Sequence, residues 1–84
     1  MSEIKDTKQL LAEGHKLRTY RKLIGLKQVE AAVLLSTEQG NYCRMEQGRL
    51  NAGKRLAMIT KLFKTWREDE IKKLEQRIIY LKSL

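Results

Sequence analysis

The sequence predicts an all-α fold of five helices. Three observations carry this expectation. Proline is absent and glycine occurs only five times in 84 residues, while Lys, Arg, Glu, Leu and Ala, all good helix formers, are abundant. Apolar residues recur at helical spacings. Residues that start and stop helices divide the chain into five segments joined by short turns.

The elements follow in chain order. Asp6 and Gln9 have the spacing of a capping box and open a first helix over residues 7–24, with Leu10, Leu17 and Ile24 on one stripe and Gly25 as its stop. Gly14 inside that run costs about 1 kcal/mol relative to Ala, which weakens its first half. A short second helix, "QVEAAVLL" (28–35), packs through Ala31, Ala32, Leu34 and Leu35, although Lys27 sits where a Ser or Thr cap is expected. Ser36 and Thr37 break it. Either could cap the third helix, and Ser36 with Gln39 has capping-box spacing. That third helix covers about 38–47 and stops at Gly48. Asn51 is the expected cap of a fourth helix over 52–64, whose Leu56, Ile59, Leu62 and Phe63 share a face. Thr65 and Glu68 form a second capping box and open a fifth helix, 66–84, whose first acids suit the positive end of the helix dipole. The chain thus divides into a domain over 1–64 and a C-terminal amphipathic helix over 65–84.

Composition narrows the function classes. No apolar run approaches the roughly 20 residues that span a membrane, and "MSEIKDTKQL" lacks the apolar centre of a signal peptide. One cysteine, Cys43, excludes an internal disulfide and a cysteine-based zinc site. These features lead to the expectation of a cytoplasmic protein. Eighteen Lys/Arg against ten Asp/Glu give a net charge of +8, which calls for a polyanionic partner. Residues 17–55 hold eight basic and three acidic residues, whereas 67–84 hold five and four, so the middle of the chain is the anion-binding candidate. The basic residues do not line one face of a long apolar helix, which disfavours a membrane surface. His15 stands alone, and no nucleophile motif, glycine-rich phosphate loop or metal spacing occurs, so neither an enzyme nor a cofactor nor a metal is expected.

The third helix carries the most information. At 100° per residue, Tyr42 and Met45 turn inward with Glu46 beside them. Opposite lies Gly40, flanked by Cys43, Arg44 and Gln47, with Gln39 at the edge. Gln, Asn and Arg present paired hydrogen-bonding groups suited to base edges in a major groove, and small residues let a helix axis approach them closely. The alternative is that Gly40 marks a late helix start, with Asn41 as the cap.

From Leu17 to Phe63 the chain resembles the Cro/repressor (XRE-type) helix-turn-helix DNA-binding family. "LRTYRKLIGLKQVEAAVLL" is similar to its opening helix, Gly-Leu turn and Gln-headed second helix, and "NYCRMEQG" to the end of its recognition helix. The resemblance implies a DNA-facing surface in which Gln39, Gly40 and Arg44 fall on base-reading positions, with Glu38, Asn41 and Cys43 beside them. It implies a phosphate contact for Gln28 through its side chain and the helix N-terminus, and backbone contacts for Arg18, Lys27, Gln47, Arg49 and Lys54. It pairs Arg21 with Glu46 as an ion pair tying helix one to helix three. The chain departs from the family at Ser36, where a turn glycine is usual, at Thr37, where an apolar residue is usual, at Ala31, where a larger one is usual, in lacking the usual proline before the fourth helix, and at Gly53 and Lys54, where an apolar residue often sits. Glu38 is an acid set among DNA phosphates, tolerable where it accepts from a cytosine amino group.

Ile71, Leu74, Ile78 and Leu81 form a heptad seam of the two-stranded type, widened by Ile79, Tyr80 and Leu84. Leu10 or Leu11 could join it. The seam serves either a homodimer or a fold-back onto its own chain. A two-fold dimer would set two reading helices about 34 Å apart on a palindromic operator. The expected function is therefore a sequence-specific double-stranded DNA-binding transcriptional regulator, a dimeric repressor. The alternatives are an antitoxin that also binds a toxin partner, and a protein–protein adaptor on the same scaffold.

Overall fold

The computed structural model describes residues 5–84 and is helical, with no strand among the described residues. It contains four helices rather than five: α1 (Thr7–Ile24), α2 (Gln28–Leu34), α3 (Gln39–Glu46) and α4 (Lys54–Lys82). The expected fourth and fifth helices are one element of 29 residues, about 43 Å long. Thr65 is not a cap. Its Oγ1 donates to the Lys61 carbonyl at 3.2 Å, the bond a hydroxyl makes inside a helix. No Gly or Pro lies between Lys54 and Lys82, so nothing forces the backbone to leave the helix at Thr65. The boundary drawn at 64/65 falls within α4.

α1 opens as the sequence predicts. The Asp6 carboxylate accepts from Gln9 N at 2.8 Å, and the Gln9 side chain accepts from Asp6 N at 3.1 Å. α2 opens at Lys27, where Glu30 Oε1 accepts from Lys27 N at 2.8 Å and supplies the side-chain half of a cap that Lys27 cannot. The start of α3 differs from expectation. Glu38, not Ser36 or Thr37, occupies its N-cap, and it makes no side-chain cap bond. The start of α4 differs too: Gly53 is the N-cap, and the Asn51 side chain accepts from Gly53 N at 2.9 Å across a local turn.

Ser36 instead ends α2. It has φ +56°, the left-handed conformation that glycine adopts at the ends of α1 (Gly25) and α3 (Gly48). Ser36 N donates to Val33 O at 3.2 Å and Thr37 N to Ala32 O at 2.9 Å, which closes the last turn. A left-handed serine is costly, and a distant side chain offsets that cost. Arg55 donates to Leu35 O at 3.3 Å and to Ser36 O at 3.1 Å.

The core is small and draws on every helix: Leu17, Ala31, Ala32, Leu35, Tyr42, Met45 and Ile59, with Ala52 from the loop before α4. α1 packs on α3 and on the first half of α4, and α2 packs on α3. Tyr20 stacks on Phe63 with ring centroids 4.6 Å apart, and Trp66 follows at 5.7 Å. Gly14 is buried where α1 crosses the end of α3, and a Cβ there would lie 2.5 Å from Glu46 O. The glycine that weakens α1 as an isolated helix is what admits this crossing. Leu11 packs near Gly48, at the end of α3. Beyond Glu70 every residue of α4 is exposed, so the seam does not fold back onto the described chain.

Candidate nucleic-acid interface

α3 is anchored by the side it buries. Tyr42 and Met45 point into the core, and the Tyr42 hydroxyl donates to Leu17 O at 3.5 Å. Glu46, the last residue of α3, binds Arg21 of α1 in a two-pronged ion pair: Nε to Oε2 at 2.5 Å and Nη2 to Oε1 at 3.2 Å. The third donor group of the guanidinium, Nη1, donates to Leu26 O at 3.0 Å. Gln28 adds a bond from Nε2 to Glu46 Oε1 at 3.1 Å. One carboxylate thus fixes α3 against both α1 and α2. The two side chains are only 12% and 4% exposed. Burial alone would raise the Glu46 pKa. Hydrogen bonds from Arg21 and Gln28 outweigh it and hold the carboxyl below its ordinary value. The same hydrogen bond raises the Arg21 pKa, and burial raises that of Tyr42.

The opposite side of α3 faces solvent. Glu38, Gln39, Gly40, Arg44 and Gln47 are exposed, and Asn41 and Cys43 are half-buried. Arg44 Nη1 donates to Asn41 Oδ1 at 3.0 Å, which holds the guanidinium along the helix surface. Gln47 Nε2 donates to Cys43 Sγ at 3.5 Å. Gly40 lies inside the helix, second from its start, so Asn41 is not the cap. A Cβ at Gly40 would meet only Arg44 Nη1, at 3.8 Å. No packing within the chain requires a glycine there.

Arg18, Arg21, Gln28, Glu46 and Gln47 line a polar crevice of about 240 Å³ beside α3. The structure therefore brings together five residues of the sequence-derived set, from three separate stretches of the chain. Lys27, Arg49 and Lys54 are exposed but lie outside this crevice, with Lys54 at the first position of α4. Among the described residues, Arg18, Lys22, Lys27, Arg44, Arg49 and Lys54 form no ion pair, so no described carboxylate neutralises their charge. A second hollow, about 340 Å³, is lined by Leu34, Met58, Lys61, Leu62 and Thr65, with no carboxylate, imidazole or thiol among them. No metal-binding cluster of His, Cys, Asp or Glu occurs among the described residues, and none of their helices is long and apolar enough to cross a membrane.

Sequence reasoning missed two residues that position this surface. Gly14 sets how closely α1 approaches α3, and a glycine inside an otherwise regular helix was the available signal. Arg55 holds the turn between α2 and α3, and nothing local to its sequence marks it. No family profile, curated protein or solved structure matches the chain.

Proposed function

We propose that this protein is a sequence-specific double-stranded DNA-binding regulator of the Cro/repressor kind, a dimeric repressor that reads a palindromic operator with α3. One observation carries the reading: the exposed side of α3 is built from amide, small and guanidinium side chains around a glycine that the fold does not need, with cations on the neighbouring segments that form no ion pair among the described residues. In this reading α3 lies in the major groove. Gln39 and Arg44 make paired hydrogen bonds to base edges, and Asn41 aligns the Arg44 fork. Gly40 and Cys43 let the helix axis come close, and Glu38, free of any cap bond, accepts from a cytosine amino group. Arg18, Gln28 and Gln47 meet a phosphate at the crevice, where the second N–H of the Gln28 amide remains to donate. Lys27, Arg49 and Lys54 add sequence-independent attraction. The exposed seam on α4 joins two copies.

Selection of bound sequences from random duplex DNA at two salt concentrations tests the reading. The expected result is an enriched inverted repeat whose affinity falls steeply as salt rises. Recovery of no preferred sequence at low salt would overturn it in favour of a protein-binding adaptor.

A further inference from the structure

The exposed half of α4 has an apolar stripe continuous with the core. Leu74 and Leu81 lie about three and five turns beyond Phe63, on the side of the helix that stacks against Tyr20 of α1. α1 covers this face at Phe63, Trp66 packs on Phe63 one turn further on, and beyond Glu70 the face is bare. Ile71, Leu74, Ile78 and Leu81 are 47%, 58%, 51% and 57% exposed. The flanking charges say how a second copy can cover the stripe.

Write Ile71 and Ile78 as the a positions and Leu74 and Leu81 as the d positions. The g positions are then Glu70 and Arg77, and the e positions are Glu68, Glu75 and Lys82. In a parallel, in-register pair, Glu70 faces the partner's Glu75 and Arg77 faces the partner's Lys82. Each contact occurs twice, and all four repel. In an antiparallel pair centred on residue 76, Ile71 packs on the partner's Leu81 and Leu74 on the partner's Ile78. Glu68 then meets the partner's Lys82 twice, and the like pairs are reduced to one Glu75 contact and one Arg77 contact across the two-fold axis. The remainder of the molecule adds to this preference. Residues 5–66 carry thirteen Lys/Arg against five Asp/Glu. A parallel pair sets two such bodies side by side, whereas an antiparallel pair separates them by about 50 Å, measured between the two Ile59 positions. That is several Debye lengths at physiological salt.

We infer that a second copy of this chain docks antiparallel along the exposed half of α4, pairing Ile71 with the partner's Leu81 and Leu74 with the partner's Ile78. This rests on the dimer in the proposed function and specifies its geometry. Its consequence for DNA is a half-site separation larger than the one-turn spacing of about 34 Å expected from the sequence.

Disulfide trapping in the full chain tests the orientation. In a Cys43→Ser background, Ile71→Cys and Leu81→Cys are made separately. Both positions are exposed in the protomer, so neither change disturbs its core. Oxidation of the mixed variants is expected to give a covalent dimer containing one of each, while neither variant cross-links to itself. Self-cross-linking of Ile71→Cys would establish a parallel pair and overturn the inference, leaving dimerisation intact. Sedimentation equilibrium gives a second readout. Lys82→Glu places an acid against Glu68 in the antiparallel pair and is expected to weaken association about fivefold or more. In a parallel pair it would relieve Arg77 and tighten association, which overturns the inference. A monomeric mass for the unaltered chain would overturn both the orientation and the dimer, while duplex binding by α3 is judged separately by the selection experiment.

Discussion

Gly14 of α1 rests against the carbonyl of Glu46 so closely that a Cβ added there would lie 2.5 Å from the oxygen, and 2.6 Å from that of Met45. Both atoms are backbone, so neither can swing aside. Gly14→Ala is therefore expected to destabilise the protein by about 1–3 kcal/mol through overpacking, although alanine is the better helix former. The urea midpoint checks this. An unchanged or raised midpoint would mean that α1 does not cross α3 at this distance.

Gly40→Ala should act in the opposite direction. Its Cβ would make only an ordinary van der Waals contact, with Arg44 Nη1 at 3.8 Å, on a solvent-facing helix, so folding should gain up to about 1 kcal/mol from propensity alone. In the proposed complex the same methyl would stand between the α3 axis and a DNA base edge, and duplex affinity should fall about tenfold, or about 1.4 kcal/mol. Thermal denaturation and titration against the selected operator separate the two effects. A stabilised protein with unaltered affinity would remove Gly40 from the interface.

The Arg21–Glu46 pair makes stability depend on acid. The folded pKa of Glu46 lies below its ordinary value of 4.5, so the unfolded chain takes up this proton more readily than the folded one. The contribution is complete above about pH 4.5 and is lost as pH falls through the lower, folded value. Glu46→Gln should cost about 2–3 kcal/mol at neutral pH by leaving a nearly buried guanidinium without its counter-charge. It should also flatten the acid limb of the stability profile. A variant that keeps the full acid limb would place its origin elsewhere.

Arg18 and Arg44 should separate in binding assays. Arg18→Ala, at the crevice, is expected to weaken all duplexes alike and to reduce the slope of log affinity against log salt by about 1. Arg44→Ala is expected to relax the preference at one base pair by about 1–3 kcal/mol. Uniform weakening by Arg44→Ala would instead make it a phosphate contact.

Thr65→Ala distinguishes one long helix from two. Loss of a true N-cap costs about 1 kcal/mol. Inside a continuous helix, as observed, the same change should be neutral or stabilise by a few tenths of a kcal/mol, with undiminished helical circular dichroism.

What was legible in the sequence follows the range of the interaction. The Asp6–Gln9 box and the left-handed stops at Gly25 and Gly48 are decided within a few residues, and α1 runs over the span expected for it. The inward side of α3 was also legible, because helical rotation alone places Tyr42 and Met45 together. The Thr65–Glu68 signal misled because the same four-residue spacing arises inside a helix, and a cap forms only where the backbone departs from helical angles. Asn51 misled because its side chain serves a turn two residues on.

By itself, then, the sequence determined an all-helical chain, most helix ends, the inward and outward sides of α3, and an apolar stripe on the last segment. All of these depend on local backbone preference and on periodicity. Tertiary structure alone decided that the last two segments form one rod, that Gly14 admits the close crossing of α1 over α3, and that Arg55 secures the left-handed Ser36. The same holds for the crevice that unites Arg18, Gln28 and Gln47. Each of these rests on atoms that meet only after the chain has folded, between residues whose separation along the sequence carries no signal of contact.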